Sequence, residues 1–170
     1  MNSKKNLVFL GMMGSGKSSI GYLVSKKLNL QFIDIDNMIE DEMRMKISNI
    51  FKERGENYFR NLEEKITLKS LKTNTGVISL GGGAFINEKI RKEVLTNHSS
   101  FWLNWSLEVL LKRIKNSKKR PLAFNSTEQE IKDLIKKRSK IYSKAEFKIN
   151  CDKLTKNEIV KKITKIYELN

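Results

Sequence analysis

Residues 6–28 read NLVFLGMMGSGKSSIGYLVSKKL. The apolar run at 6–10 is short enough for a buried strand. Over 17–28 the apolar residues Ile20, Leu23, Val24 and Leu28 return at helical spacing. Between them, GMMGSGKS from Gly11 to Ser18 matches G-x-x-x-x-G-K-[ST] in full. A strand, a glycine-rich loop and a helix in that order form a phosphate cradle. Gly11, Gly14 and Gly16 let the backbone curl so that its N–H groups face phosphate oxygens, and the helix adds its positive end. The Lys17 ammonium can reach the β- and γ-phosphates, and the Ser18 hydroxyl can ligate magnesium. Gly14, Ser15, Gly16, Lys17, Ser18 and Ser19 are the expected nucleotide contacts, with ATP or GTP as the ligand.

Outward from this segment, strands alternate with helices. Residues 31–35, 77–80, 101–103 and 147–150 read as further strands. Helices are expected over 38–44, 47–54, 57–71, 87–95, from Ser106 to about 114, from Thr127 to about 142, and over 157–169. Gly55 should stop one helix, and Thr127 with Glu130 forms a capping box. Short apolar strands joined by helices imply an α/β fold: a three-layer α/β/α domain with a five-stranded, mainly parallel sheet. Residues 115–127, KNSKKRPLAFNST, hold the chain's one proline and little apolar material, so a mobile loop is expected there.

The chain has 170 residues, enough for one domain with its own core. Cys151 is the single cysteine, so no disulfide forms within the chain, and a buried thiol in a reducing cytosol is expected. The apolar run after Lys5 is too short for a secretory signal, and no run approaches the roughly 18 residues of a membrane span. A cytoplasmic protein without membrane contact is expected. The net charge of +15 raises nucleic-acid binding as a function class. Against it, only seven of the 34 basic residues are arginine, the lysines are spread along the chain, and no basic run is interleaved with aromatics. His98 stands without Cys or acidic partners and is expected to be structural or exposed. Trp102 and Trp105 are expected to pack at a strand end.

The acceptor of the phosphoryl group is encoded elsewhere. Asp34 and Asp36 lie two apart at a predicted strand end, a spacing that puts both on one face. One can hold magnesium through water and the other can serve as base to a hydroxyl; equally, Asp36 can cap the following helix. Arg60, with Glu63 and Glu64 one turn on, is either a surface ion pair or an oriented anion clamp. Gly81 to Gly83 end another strand, where bare backbone can approach a ligand. Arg120 in the predicted loop either meets a transferring phosphoryl group or is one more solvated charge beside Lys118 and Lys119, and Arg138, one turn before Tyr142, is either an anion clamp or a surface residue. Together these residues describe a small-molecule kinase with a hydroxyl acceptor that carries an anionic group.

The segments GMMGSGKS, FIDIDNMIE at 32–40, ISNIFKERGENYFRNLE at 47–63, SLGGGA at 79–84, RPL at 120–122, and Arg138 with Tyr142 resemble the shikimate kinase family in order and spacing. The resemblance runs from about Leu7 to Tyr142. It implies a nucleoside-monophosphate-kinase-like P-loop fold, one domain over 1–170 with substrate-binding helices at about 36–62 and a lid at about 115–126. It implies transfer of the ATP γ-phosphate to the 3-hydroxyl of shikimate, on the route to the aromatic amino acids, with Mg2+ as cofactor and the chain acting as a monomer. By this resemblance Lys17 and Ser18 serve ATP and magnesium, and Asp34 helps hold the metal through water. Asp36 binds the shikimate hydroxyls and is the base. Arg60 and Arg138 bind the carboxylate, Gly82 offers its backbone, and Glu63 orients Arg60. Arg120 is the lid arginine, and Arg113 packs against adenine. The chain departs from the pattern in having Ser139, Lys140 and Ile141 where a proline often stands between the last arginine and the tyrosine. Gluconate or a nucleoside monophosphate as acceptor is one alternative, against which the segments around Arg60 and Gly82 favour shikimate; a basic ATP-switched nucleic-acid binder is another, against which no nucleic-acid motif is present.

Overall fold

Strand β1, Leu7–Leu10, is buried along its whole length, so its alternating side chains need apolar partners on both faces. Leu7 and Phe9 join one core with Ile20, Val24, Phe101, Ile149, Ile159 and Ile163. Val8 and Leu10 join the other with Ile66, Ile78, Ile90, Val94, Ile131 and Ile135. The central strand thus has helices on each side, and the chain adopts the expected three layers. The structure is a computed structural model that describes residues 6–72, 75–115 and 126–169.

The elements follow as α1 (Lys17–Leu28), β2 (Gln31–Asp34), α2 (Ile35–Met43), α3 (Ile47–Leu71) and β3 (Gly76–Ser79). Then come a 3-10 turn (Ala84–Ile86), α4 (Glu88–Asn97), β4 (Ser99–Asn104), α5 (Leu107–Lys115), α6 (Glu128–Tyr142), β5 (Phe147–Asn150) and α7 (Lys156–Glu168). The five strands lie in the order β2-β3-β1-β4-β5, and every pairing is parallel. Helices α1 and α7 cover one face, and α3, α4 and α6 the other. Register aligns Phe9 with Phe101 and Phe101 with Phe147. Their rings stack at 5.7 and 4.9 Å between centroids. The fully buried rings of Phe9 and Phe101 each stabilise the fold by about 1.5–3 kcal/mol, and truncating Phe101 to alanine would cost about 3–5 kcal/mol.

Parallel strands send all their following segments to one edge of the sheet. GMMGSGKS after β1, Asp34 to Asp36 after β2, Gly81 to Gly83 after β3 and Trp105 after β4 are therefore neighbours. At the opposite edge Asn6 ties the layers together. Its Nδ2 donates to the Leu71 carbonyl at 3.1 Å and lies 3.2 Å from His98 Nδ1, while its Oδ1 accepts the Gly76 N–H at 2.9 Å. His98 is buried, and it is not without an acidic neighbour as the sequence suggested, because Glu93 Oε1 lies 3.5 Å from its Nε2.

Several boundaries move. β2 ends at Asp34, one residue early, and α2 starts at once with Asp34 as its N-cap, accepting the Asn37 N–H at 3.2 Å. The cap is thus Asp34 rather than Asp36. Strand alternation does not relate the two carboxylates, because Asp36 already lies in a helical turn. Gly55 interrupts helical geometry as expected, with φ 79° and ψ 170°, a backbone state that glycine tolerates and other residues resist. The Thr127–Glu130 capping box forms, and Thr155 with Glu158 forms a second that the pattern reading passed over. β4 starts at Ser99, ahead of the expected Phe101. Cys151 is buried, and burial pushes its thiol up to about 12. Among the described residues no helix is long and apolar enough to cross a membrane. Residues 116–125, which hold Arg120 and most of the expected lid, lie outside the described residues.

Candidate active site

The loop after β1 turns on three glycines with positive φ: Gly11 at 143°, Gly14 at 76° and Gly16 at 87°. Gly16 is the N-cap of α1 and supplies no side chain, and the first turn of α1 contains no acid. The first amides of that helix are thereby presented to an anion. Lys17 is buried beneath the loop, its Nζ donating to the carbonyls of Gly11 at 3.0 Å and Met12 at 3.1 Å. Ser15 is buried, and Ser19 is half-buried in the first turn of α1. Ser18 Oγ lies 3.5 Å from Ser79 Oγ at the end of β3. VISLGGG contains no Asp, and Ser79 is the polar group that β3 brings to this position.

A cavity of about 590 Å³ opens beside the loop, lined among others by Ser18, Asp34, Asp36, Arg60, Glu63, Gly82 and Arg138. Its volume suits a small-molecule site. Arg60 projects from α3. Its Nη1 donates to Glu63 Oε2 at 2.6 Å and its Nε to Glu56 Oε1 at 3.3 Å. The guanidinium carbon lies 5.2 Å from the centroid of the Phe59 ring. Burial works against the Arg60 charge, but Glu63 and Glu56 together raise its pKa above the usual value. Burial likewise lifts the Glu63 carboxyl above the usual range; Arg60 opposes this, and the nearby Asp36 carboxylate adds to it.

The glycines after β3 are matters of space. A Cβ on Gly81 would overlap Glu63 Oε1 and come within 2.8 Å of Asp36 Oδ1, and one on Gly83 would overlap Arg60 Nη1. Both carboxylates and the arginine thus lie directly on bare backbone. Gly82 uses its carbonyl to accept hydrogen bonds from Arg138 Nη1 at 3.3 Å and from the Tyr142 hydroxyl. Burial pushes that hydroxyl up to about 12, so it remains a donor. Arg138 is itself buried, on α6.

The fold therefore brings Asp34, Asp36, Arg60, Glu63, Gly82 and Arg138 to one cavity beside Ser18. Arg113, on α5, lies at another flank of the loop and donates from Nη1 to the Gly14 carbonyl at 3.2 Å. Arg120 lies outside the described residues. Sequence reasoning gave no role to Ser79, although it opens the quoted SLGGGA segment, and missed the placement of Trp105, whose indole Nε1 donates to the Ser15 carbonyl at 2.9 Å. It also missed Glu40, whose Oε1 accepts the Ile47 N–H at 3.0 Å and whose Oε2 accepts from Lys46 Nζ at 2.7 Å, fastening the start of α3 at the cavity rim.

For magnesium, the oxygens at hand are the Ser18 and Ser79 hydroxyls and the Asp34 carboxylate. This hard donor set fits the ion, which keeps several waters and binds few protein groups. Among the described residues no group of three or more His, Cys, Asp or Glu is placed to hold a metal.

Comparison with known proteins identifies the family. The family model described as "Shikimate kinase" matches residues 13–168. A shikimate kinase of Sulfurihydrogenibium sp. (strain YO3AOP1) is 42% identical over 164 residues, covering 95% of this chain and 98% of that protein. The structure of shikimate kinase from Acinetobacter baumannii in complex with shikimate superposes with a TM-score of 0.92 at 27% identity, covering 99% of this chain and 96% of that one. That of shikimate kinase from Aquifex aeolicus gives 0.84 at 37% identity, with 96% of each chain covered. The chain belongs to the shikimate kinase family.

Proposed function

We propose that this chain transfers the γ-phosphoryl group of ATP to the 3-hydroxyl of shikimate, releasing ADP and shikimate 3-phosphate. The observation that carries this reading is the convergence of two arginines and Asp36 on a cavity that also touches Ser18 of the phosphate loop. A polyol carboxylate needs cationic forks at one end and a hydrogen-bond acceptor at the hydroxyl that reacts. Arg60 and Arg138 grip the carboxylate. Glu63 holds Arg60 in place, and the Gly82 carbonyl holds Arg138.

Asp36 accepts the proton of the attacking hydroxyl, while Lys17 and the loop amides neutralise charge on the transferring group. Ser18, Asp34 and Ser79 are the residues that would hold Mg2+, which would supply charge neutralisation for the phosphates of the nucleotide. Arg120, assigned from its sequence position and the family resemblance, stabilises the same charge; Arg120→Ala should lower kcat while shikimate binding persists. Residues 1–170 act as one domain and as a monomer in the cytoplasm, for which sedimentation at single-chain mass is the check.

A coupled assay for ADP release decides the reading. Release should depend on shikimate and should not respond to gluconate, nucleoside monophosphates or oligonucleotides. ADP release indifferent to shikimate would overturn it.

A further inference from the structure

A phosphate loop holds the phosphates of a nucleotide and leaves the base to find a surface nearby. Beside the loop crest, three groups form a closed set. Trp105, just past β4, donates its indole N–H to the Ser15 carbonyl at 2.9 Å. The guanidinium carbon of Arg113 lies 3.7 Å from the centroid of the Trp105 ring system. Arg113 Nη1 returns to the loop through the Gly14 carbonyl at 3.2 Å. Arg113 also lies against Gly14 itself, where an added Cβ would sit 3.4 Å from the Arg113 Cβ. Neither Trp105 nor Arg113 lines the acceptor cavity, so the pair occupies a different flank of the loop.

An arginine on a helix surface samples many rotamers, and ordering it for a ligand costs conformational entropy. Here the indole and the Gly14 carbonyl have already ordered it. A planar cation has two faces; Trp105 covers one, and Arg113 is only half-buried. The other face is the right shape and charge to receive a flat π-system.

We propose that Trp105 is a positioning residue for the nucleotide base: it holds Arg113 flat beside the phosphate loop so that the purine stacks on the guanidinium face turned away from the indole. This rests on the reading of Arg113 as the base-contacting residue. Trp105 also makes ligand binding visible, because its ring lies one layer beneath the base. Trp102, by contrast, is buried in the sheet against Tyr142.

The test compares Trp105→Leu and Trp105→Phe with the wild-type chain, using ADP and inorganic tripolyphosphate as separate calorimetric probes. Trp105→Leu should weaken ADP binding about tenfold, the order of a partly desolvated cation–π contact. Trp105→Phe, which keeps a ring, should lose less. Neither variant should weaken tripolyphosphate, which has no base. In the wild-type chain ADP should change tryptophan emission and tripolyphosphate should not, and Trp105→Phe should abolish the change. Equal loss of ADP and tripolyphosphate would mean that Trp105 only props the loop, and unchanged ADP affinity in Trp105→Leu would also overturn the proposal. If Trp105→Leu loses its helical circular dichroism, Trp105→Phe and the wild-type emission decide alone. Arg113→Ala separates the two levels. Weakened ADP binding there with none in Trp105→Leu overturns this inference only, whereas wild-type ADP affinity in Arg113→Ala overturns the base-contact reading beneath it.

Discussion

Arg60 Nη1 lies 2.6 Å from Glu63 Oε2, with the glutamate side chain 4% exposed and the arginine side chain 28%. An exposed pair one turn apart on a helix is worth about 0.3–0.5 kcal/mol. A buried carboxylate changes that scale, because removing its partner leaves an uncompensated charge, at a cost of about 3–5 kcal/mol. The pair fixes the direction of the Arg60 fork toward the cavity that Arg138 enters from α6.

Arg60→Ala and Arg138→Ala should each raise the KM for shikimate far more than that for ATP. Losing a charge-assisted pair to a buried partner costs about 2–5 kcal/mol. Calorimetric titration with shikimate measures this directly, and unchanged affinity in both variants would remove the arginines from the site.

The glycines after β3 give a sharper test, since the change is one methyl group. Gly83→Ala should displace Arg60 and weaken shikimate binding, and Gly81→Ala should displace Glu63 and Asp36 and lower kcat as well. Gly55→Ala is the contrast: nothing lies within 4 Å of the added carbon, so only the strain of its backbone, φ 79° and ψ 170°, should cost stability, about 1–3 kcal/mol. Urea midpoints and steady-state kinetics on the three variants separate the effects. Wild-type kinetics in Gly81→Ala would show that the backbone there does not need to be bare.

Lys17→Met should reduce turnover by about 100-fold or more, the scale of losing a donor to developing charge. Far-UV circular dichroism checks that the chain still folds. A folded variant with near-normal ADP release would exclude the loop as the phosphate site.

Stability should carry the signature of Glu63. Its pKa lies above the ordinary 4.5 in the folded chain because burial disfavours the charge. Between 4.5 and that raised value, the folded chain binds a proton that the unfolded chain has released. Glu63 therefore contributes stability that is complete below 4.5 and is lost as pH rises through its folded value. The advantage of the wild type over Glu63→Gln should shrink with rising pH, read from urea midpoints between about pH 4 and pH 8. An advantage that grows with pH would contradict the direction.

The sequence alone determined whatever is decided within a few residues. The phosphate loop is contiguous, and its glycines, its lysine and the helix behind it need no partner from elsewhere. The capping box at Thr127, the interruption at Gly55 and the three-layer α/β fold were legible for the same reason: local backbone preference and side-chain period act before the chain is packed. The assignment of Asp36, Arg60 and Arg138 to one ligand came from resemblance, because nothing in spacing alone relates residues on α2, α3 and α6.

Only the tertiary structure decided how these elements meet. The strand order β2-β3-β1-β4-β5 sets Gly81 against Glu63 and Asp36, Ser79 against Ser18, and Trp105 against Ser15. It also corrected the local reading of Asp34 and Asp36, whose shared cavity arises from a strand end followed at once by a helical turn. Burial likewise turned Arg60 and Glu63 from a surface pair into part of the site. The contacts of Ser79 with Ser18 and of Trp105 with Ser15 join segments distant in the chain, and parallel pairing with crossover helices brings such segments together only once the whole sheet has formed.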